Sequence, residues 1–318
     1  MSQEELRIDV GPVFGMAWVS DNQLVMSRTI GDATGPSKAD AWTFDVAAER
    51  MQRIDLPGPQ KGCRGRDYMR PARVSGRSVL LFSLCYSETF DGRLDEGSVV
   101  VVDLDTGQLQ ELVPSNVAFN PQTIAWHRGE GLISKSSGLC AGIARLTPDG
   151  VERWDVMVAD RRVDEPVFSE AQDCSQEIRA DLPAISQSGR IAFMASPDSV
   201  GIDGFARGSV PWFIYVMDEN GAPEQLPVEI EHPSDLRWSP SGTALAFSGT
   251  VAGKGDGLWV MSLPQGELKK ISGERVSSLD WAPEGERIAA VLESGEDAEW
   301  PRNVRLVIYR VTESTRVS

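Results

Sequence analysis

The chain has 318 residues, of which 41% are apolar and 25% charged, a composition typical of a globular protein rather than a disordered or collagen-like chain. Its 31 basic and 47 acidic side chains leave a formal net charge of −16. Nucleic-acid-binding proteins and proteins that dock on anionic membranes carry basic surfaces, so we expect neither class of partner. No run of about 18 uncharged apolar residues occurs, so we expect no membrane-spanning helix.

The predicted elements repeat along the chain. A tight turn follows a short apolar segment six times, with its turn residue in chain order at Asn22, Gly76, Gly129, Gly189, Gly242 and Gly285. Successive turns lie 43 to 60 residues apart. A fixed structural unit repeated at this period is typical of propellers and other repeat architectures.

The fullest copy of the unit covers residues 235–272. Four apolar runs of 4–6 residues are separated there by Gly, Pro or Ser, which predicts four short antiparallel strands joined by tight turns. Six such units predict an all-β protein, a six-bladed β-propeller of four-stranded antiparallel blades. The predicted blades cover residues 12–57, 67–114, 120–158, 181–228, 234–273 and 277–311, within one domain of residues 1–318.

The fifth blade carries a more specific pattern. Trp-Ser-Pro-Ser-Gly at residues 238–242 is followed by an apolar strand and by Leu-Trp-Val-Met at residues 258–261. This pattern resembles the TolB-type propeller repeat, most closely over residues 180–311. The resemblance implies a propeller over nearly the whole chain. Such propellers include periplasmic scaffolds, peptidase gating domains and sugar-handling or hydrolytic enzymes, so a fold of this kind leaves the function open.

The amino-terminal segment is predicted to complete the last blade. Little chain follows the predicted third strand of that blade, and Leu6 precedes Trp18 by 12 residues, much as Leu268 precedes Trp281 by 13. Residues 5–10 are therefore predicted to pair into the sixth blade. Pairing the two ends of the chain would remove an open sheet edge and close the ring.

The two faces of the predicted propeller differ. Turns between first and second and between third and fourth strands are short and lie on one face, which we call the short-turn face. Loops between second and third strands and connections between blades lie on the other, the long-loop face. The longest insertions belong to the long-loop face: residues 28–40, 57–68, 86–98, 155–180, 196–211 and 250–257. Elaborated loops on a rigid scaffold predict a binding surface, although solvated loops without function are the alternative.

The four cysteines allow three disulfide connectivities. Predicted strand positions bring Cys63 near Cys85, and Cys140 near Cys174, on the long-loop face, so we favour these two pairs. Disulfides would indicate an oxidising compartment, that is, a secreted, periplasmic or cell-envelope protein. Four free thiols in the cytoplasm are the alternative.

Catalytic motifs are sparse. The two histidines, His127 and His232, lack metal-ligand spacing, and no Gly-x-Ser-x-Gly motif occurs. We therefore expect no cofactor, no metal and no catalytic residues. His232 is placed on the long-loop face, where it could bind a ligand or simply be a surface histidine.

A basic cluster and an aromatic residue complete the candidate binding site. Lys61, Arg64, Arg66 and Arg70 lie close together in sequence at the entry to the second blade. Arginine side chains suit carboxylate or phosphate groups, so the cluster could form an anion or peptide site. Ion pairing with acids such as Asp91 in the same blade is the alternative. Trp300 lies in a long loop and could anchor a partner or provide a surface on which a sugar stacks.

Other tryptophans are expected to be structural. Trp18, Trp126, Trp238 and Trp281 share one position of the repeat, and this predicts packing between blades. The chain is then expected to be a monomeric, non-enzymatic propeller that binds a protein or peptide, with a glycan or small molecule as a further possible ligand. The alternative is a ligand- or carbohydrate-binding protein, or a hydrolase- or lyase-type enzyme, that uses the central channel mouth.

Overall fold

The structure is a computed structural model, and all of its regular secondary structure in the described residues is β-strand. It describes residues 2–11, 13–30, 38–55, 63–73, 79–87, 97–103, 106, 109–113, 124–127, 130–137, 140–147, 150–152, 154, 156–158, 161–162, 179–196, 211–219, 221–293 and 304–311. For some of these strands the description covers the backbone alone. The protein is therefore all-β over this part of the chain, as predicted.

Three sheets in the first half have four antiparallel strands each. Their strands, in order across each sheet, are β2 (Val13–Ser20), β3 (Gln23–Ile30), β4 (Lys38–Asp45) and β5 (Arg50–Arg53); β6 (Cys63–Arg73), β7 (Val79–Ser87), β8 (Gly97–Asp103) and β9 (Leu109–Val113); and β10 (Ile124–His127), β11 (Glu130–Ser137), β12 (Cys140–Thr147) and β13 (Gly150–Glu152). A two-stranded sheet that the sequence did not predict follows, formed by β14 (Met157–Val158) and β15 (Arg161–Arg162).

The second half contains a seven-stranded sheet and a four-stranded one. The seven-stranded sheet runs in chain order through β16 (Arg179–Ile185), β17 (Ile191–Ser196), β18 (Trp212–Met217), β19 (Glu224–Trp238), β20 (Ala244–Val251), β21 (Gly255–Ser262) and β22 (Leu268–Ser272). The last sheet has the order β1 (Ser2–Asp9), β25 (Val304–Val311), β24 (Arg287–Glu293) and β23 (Val276–Trp281).

Strand β19 differs from the expected break between the fourth and fifth blades. It runs through residues 229–233, where the sequence predicts a connection, and its pairing with β20 shifts register between Glu231 and Asp235. The same chain segment therefore ends one predicted blade and begins the next within one continuous sheet. The blade limits and the single-domain division stay a prediction.

Three of the six predicted turns are described as glycine turns of the expected kind. Gly189, Gly242 and Gly285 have φ values of 88°, 70° and 80°, in the left-handed region that a residue with a Cβ rarely adopts. Each donates its backbone N–H to the residue three positions earlier, namely Ser186, Ser239 and Ala282. These turns connect β16 to β17, β19 to β20 and β23 to β24 on the short-turn face.

The amino-terminal strand pairs with the last strand of the chain. β1 lies antiparallel to β25, with Leu6 opposite Ile308 and Ile8 opposite Leu306. Arg7 Nη2 lies 2.8 Å from Glu274 Oε2 and 2.7 Å from Glu4 Oε2. The hydrogen bond from Arg7 holds the pKa of Glu4 below its usual value. The strand pairing holds β1 against β25, and the ion pair of Arg7 with Glu274 adds a second contact between β1 and the last sheet region of the chain.

The first strands of the successive sheet units lie side by side, and we call β2, β6, β10, β16, the second half of β19, and β23 the inner strands. They contact one another in chain order, and β23 also contacts β2. Apolar side chains between neighbouring sheets form the core. Trp18, Trp238 and Trp281 are buried in it, which confirms their predicted packing role, whereas Trp126 is only partly buried.

Two of these tryptophans are covered by an arginine from the neighbouring unit of the repeat. Arg190 lies 4.9 Å from the ring centroid of Trp238 and donates to Gly242 O, and Arg287 lies 5.2 Å from that of Trp18 and donates to Asp21 O. Arg190 directly precedes β17 and Arg287 begins β24, and each reaches the first turn of the next repeat unit. This contact, which we call the Arg–Trp tie, joins neighbouring repeat units at the short-turn face.

Candidate functional site

Carboxylates of the inner strands bind backbone amides. Asp235, which is 1% exposed, accepts hydrogen bonds from Leu236 N and, across to β23, from Leu279 N, both at 2.9 Å. Asp280 accepts one from Trp18 N of β2 at 2.8 Å. In both cases the carboxylate joins one inner strand to the next, so its charge stabilises the arrangement of the sheets.

A cavity of about 130 Å³ lies at the short-turn end of the inner strands. Residues of β2, β10, β16, β19 and β23 line it, among them Trp126, Arg237 and Asp280. Arg237 Nη1 lies 3.2 Å from Asp235 Oδ1 and donates to Leu236 O at 3.1 Å. The two described charged side chains that line this cavity, those of Arg237 and Asp280, are thus both bonded to the protein itself.

A second cavity, of about 170 Å³, opens on the long-loop face between the β20–β21 hairpin and the start of β23. We call it the β20–β23 cleft. Its described lining consists of His232, Ser234, Gly249, Thr250, Asp256, Gly257, Arg275 and Val276. The predicted loop at residues 250–257 is here a hairpin in which β20 and β21 stay paired up to Val251 and Gly255.

The walls of the cleft are held by hydrogen bonds and close packing. Ser234 Oγ bonds Val276 O and Ser248 Oγ, and Thr250 Oγ1 bonds Asp256 Oδ1. Gly257 is required by a close approach, since a Cβ there would lie 2.1 Å from Ser272 O. The strands on either side of the cleft are therefore fixed before any ligand enters.

Two side chains of the cleft have hydrogen-bond donors for which no described residue is an acceptor. Eight of the ten arginines whose side chains are described form ion pairs: Arg7, Arg53, Arg145, Arg190, Arg237, Arg287, Arg305 and Arg310. Arg275 forms none with the described residues and is exposed. His232 is exposed as well, and its φ of 50° holds a non-glycine residue in the left-handed region. Such an outlier suggests a functional position.

The structure tests only part of the predicted binding site. His232 lies in the β20–β23 cleft. Arg64, Arg66 and Arg70 lie on β6, where the backbone alone is described, and Lys61 and Trp300 lie outside the described residues. The anion or peptide site at these positions stays a prediction. Sequence reasoning missed Arg275, whose one signal is its place in the connection between two predicted blades.

The predicted disulfides also stay a prediction. The backbone register places Cys63 opposite Ser87 and Cys85 opposite Arg66, so the two cysteines lie on adjacent strands, but not directly opposite each other. The side chains of Cys63, Cys85 and Cys140 are outside the described part of the structure, as is the whole of Cys174. The structure supplies no support for either pair.

Two features, a membrane-spanning helix and a metal-binding cluster, are absent from the described part of the chain. No helix in that part of the chain is long and apolar enough to cross a membrane. No group of three or more His, Cys, Asp or Glu side chains there is arranged to hold a metal ion.

Comparison with solved structures shows the fold. TolB from Acinetobacter baumannii superposes with a TM-score of 0.58 at 13% sequence identity, over 92% of this chain and 64% of TolB. An alpha-L-arabinofuranosidase from Fusarium graminearum gives a TM-score of 0.61 at 12% identity, over 97% and 98% of the two chains. An oligogalacturonate lyase solved with manganese gives 0.53 at 12% identity, over 97% and 91%.

The present chain therefore spans 64% of the length of TolB. No family model and no curated protein sequence matches it. At 12–13% identity these likenesses concern the fold alone. They confirm the TolB-type resemblance: the protein has a TolB-like β-propeller fold.

Proposed function

We propose that the protein is a six-bladed propeller, closed by β1, that acts as a non-catalytic binding or scaffold protein and docks a protein or peptide partner on its long-loop face. The cyclic contacts of the inner strands support six blades, with the seven-stranded sheet counted as two blades that share β19. The antiparallel pairing of β1 with β25 supports closure.

One contrast carries the proposed binding role. The charged side chains described around the inner strands, those of Asp181, Asp235, Arg237 and Asp280, bond to other parts of the protein. On the long-loop face, by contrast, Arg275 and His232 present donors to a preformed cleft without binding a described acceptor. Donors of this kind are available to a partner at little cost in lost internal hydrogen bonds.

The surrounding surface fits this role. Five of the six predicted insertions of the long-loop face, together with Lys61, Arg64, Arg66, Arg70 and Trp300, would extend the binding surface beyond the cleft. The proposed location is extracytoplasmic, with the cytoplasm as the alternative. A peptide map of the non-reduced protein distinguishes them: linked Cys63–Cys85 and Cys140–Cys174 pairs favour the first, and four free thiols favour the second.

Hydrogen exchange tests the proposed binding face. Peptides selected from a random dodecapeptide phage library against the folded full chain are added, and amide protection is measured across the protein. We expect protection in residues 229–235, 250–257 and 273–276 on the long-loop face. Protection confined to residues 186–190, 239–243 and 282–286 on the short-turn face, or a library without binders, would contradict the proposal.

The enzymatic alternative has its own test. Because an alpha-L-arabinofuranosidase and an oligogalacturonate lyase share the fold, p-nitrophenyl α-L-arabinofuranoside and oligogalacturonate are the substrates to assay. We expect no turnover of either. Turnover that is lost on substitution of a residue lining the channel would replace the binding role with catalysis.

A further inference from the structure

We infer that the β20–β23 cleft binds the carboxylate group of a peptide, held between the Arg275 guanidinium and the His232 imidazole. The inference rests on the proposed function in one respect: the ligand is taken to be part of the partner that docks on the long-loop face. It adds the chemistry by which that partner is recognised.

The ion pairs described near the cleft involve Glu274 but not its neighbour Arg275. Glu274 is already shared by Arg7 Nη2 at 2.8 Å and Arg305 Nη2 at 3.2 Å. In a chain of net charge −16, an exposed arginine has many acidic residues with which it could pair. Arg275 instead lines a cavity without an ion-pair partner among the described residues, and an arginine placed in this way is suited to an external anion.

The second donor is held in place by its backbone. His232 stands between Glu231 and Pro233 at the register shift of β19, and its φ of 50° differs from that of the extended strand on either side. The turn of the backbone at this residue brings the imidazole to the rim of the cleft, on the opposite segment from Arg275. Two donors from two different chain segments can hold one planar acceptor between them.

The other polar side chains of the cleft indicate which kind of anion it can bind. Ser234 and Thr250 already bond to groups of the protein, so they leave the recognition of an anion to Arg275 and His232. Asp256 also lines the cleft, and its negative charge disfavours a dianion such as a phosphate ester. A monoanionic carboxylate next to a peptide N–H suits both kinds of side chain in the cleft. The carboxylate can accept from Arg275 and His232, and the N–H can donate to Asp256.

The size of the cleft agrees with such a group. Its volume of about 170 Å³ is roughly tenfold more than a single water molecule needs. A terminal residue or an acidic side chain can therefore enter, whereas a folded domain would contact only the rim. Capture of a peptide carboxylate by a small number of fixed donors is a known mode of peptide recognition.

Three labelled probes test the inference on the full chain. They are an octapeptide of Gly and Ser with a free C-terminal carboxylate, the same peptide as a C-terminal amide, and the amide with one central Glu. Fluorescence anisotropy measures the binding of each. We expect one or both carboxylate peptides to bind at least about tenfold more tightly than the uncharged amide, as charge-assisted hydrogen bonds require. The comparison of the two identifies the source of the carboxylate.

Substitutions assign the binding to the two donors. Arg275→Gln and His232→Gly should each weaken carboxylate binding about tenfold, and glycine is chosen because it adopts the φ of residue 232 without strain. Arg50→Gln is the matched control, since Arg50 is the other described arginine without an ion pair and lies on the outer strand β5. Unchanged melting temperatures show that the variants fold.

Different results overturn different claims. Equal binding of all three probes, or tighter competition by inorganic phosphate than by acetate, overturns the carboxylate inference but leaves the long-loop binding face standing if hydrogen exchange places selected peptides there. The absence of any peptide binder overturns both.

Discussion

At the scale of single residues, two aspartate carboxylates help to join neighbouring inner strands. Neighbouring inner strands of a propeller are not hydrogen-bonded to each other as strands of one sheet are, so their contact depends on side chains. Asp235 and Asp280 each supply an acceptor for a backbone N–H of the next inner strand. Such a bond is charge-assisted and, for Asp235, fully buried.

Asp235→Ala should therefore be strongly destabilising. It leaves Leu279 N without its acceptor and Arg237 without its ion-pair partner, and breaking a buried pair of this kind costs about 3–5 kcal/mol. Urea denaturation measures the loss. The matched control is Asp218→Ala, because that carboxylate is 85% exposed and lies 3.8 Å from Arg190. Similar losses in the two variants would show that Asp235 does not join the sheets.

Tyr215 makes a prediction about alkaline stability. Its hydroxyl donates to Gln225 Oε1 at 2.9 Å, and burial raises the pKa of this phenol. The unfolded chain ionises first, at about pH 10, so stability is complete below that pH and falls as the pH rises towards the folded-state pKa. Tyr215→Phe removes that loss, but costs about 1 kcal/mol at neutral pH through the missing hydrogen bond.

The difference in unfolding free energy between Tyr215→Phe and wild type should thus shrink between about pH 8 and about pH 11. Urea titrations at a series of pH values measure it. A difference that stays constant over this range would mean that the phenol ionises equally well in the folded and unfolded protein.

At the scale of elements, the Arg–Trp tie occurs at one fixed position of the repeat, but not in every unit. Arg190 and Arg287 occupy one position of the repeat, and Ala244 occupies the same position in the intervening unit. Each tie combines a cation–π contact with a hydrogen bond to a turn carbonyl. Together the two contacts of a tie should contribute about 1–2 kcal/mol to the free energy of unfolding.

Arg287→Ala and Arg190→Ala should each lower the unfolding free energy by about 1–2 kcal/mol, and Arg287→Lys should recover only part of it, because lysine lacks the planar guanidinium. Thermal and urea melts measure these losses. Arg53→Ala is the control, since Arg53 pairs with Asp40 on the outer strands of its sheet and its side chain is 61% exposed. A loss no larger than that of the control would remove the tie as a source of stability.

Local signals explain which elements could be predicted. The turns at Gly189, Gly242 and Gly285 depend on a left-handed residue between two apolar runs, and that requirement is visible in the sequence. The continuity of β19 across residues 229–233 is not, because His232 and Pro233 are typical of a loop. Pairing with β20 on both sides of the register shift holds that segment in the sheet.

The candidate site could be predicted only in part, because one of its two donors is distinguished by contacts between residues distant in sequence. His232 stood out because the chain has two histidines. Arg275 is one of many arginines, and what distinguishes it is its place in the cleft without an ion pair to any described residue. That property depends on how Arg7 and Arg305, which are distant in sequence, pair with its neighbour Glu274, so no local pattern could show it.

At the scale of the whole molecule, stability is expected to depend on the junction between β1 and β25. Leu6 and Ile8 pack against a core cluster that contains residues of both the first and the last sheet, including Trp18 and Leu306. If this junction closes the ring, damage to it should not remain local. In a closed ring each blade would contact two neighbours, so opening one junction would remove a constraint on all of the blades.

Leu6→Asp should then lower the stability of the entire chain by at least about 2 kcal/mol, since it places a charge where a partly buried apolar side chain packs. Gln3→Asp is the matched control, because it adds the same charge to an exposed position of the same strand. Tryptophan fluorescence and circular dichroism should report a single coincident transition at a lower denaturant concentration. Two separate transitions, with the second unchanged from wild type, would show that β1 stabilises only the last sheet and does not close the propeller.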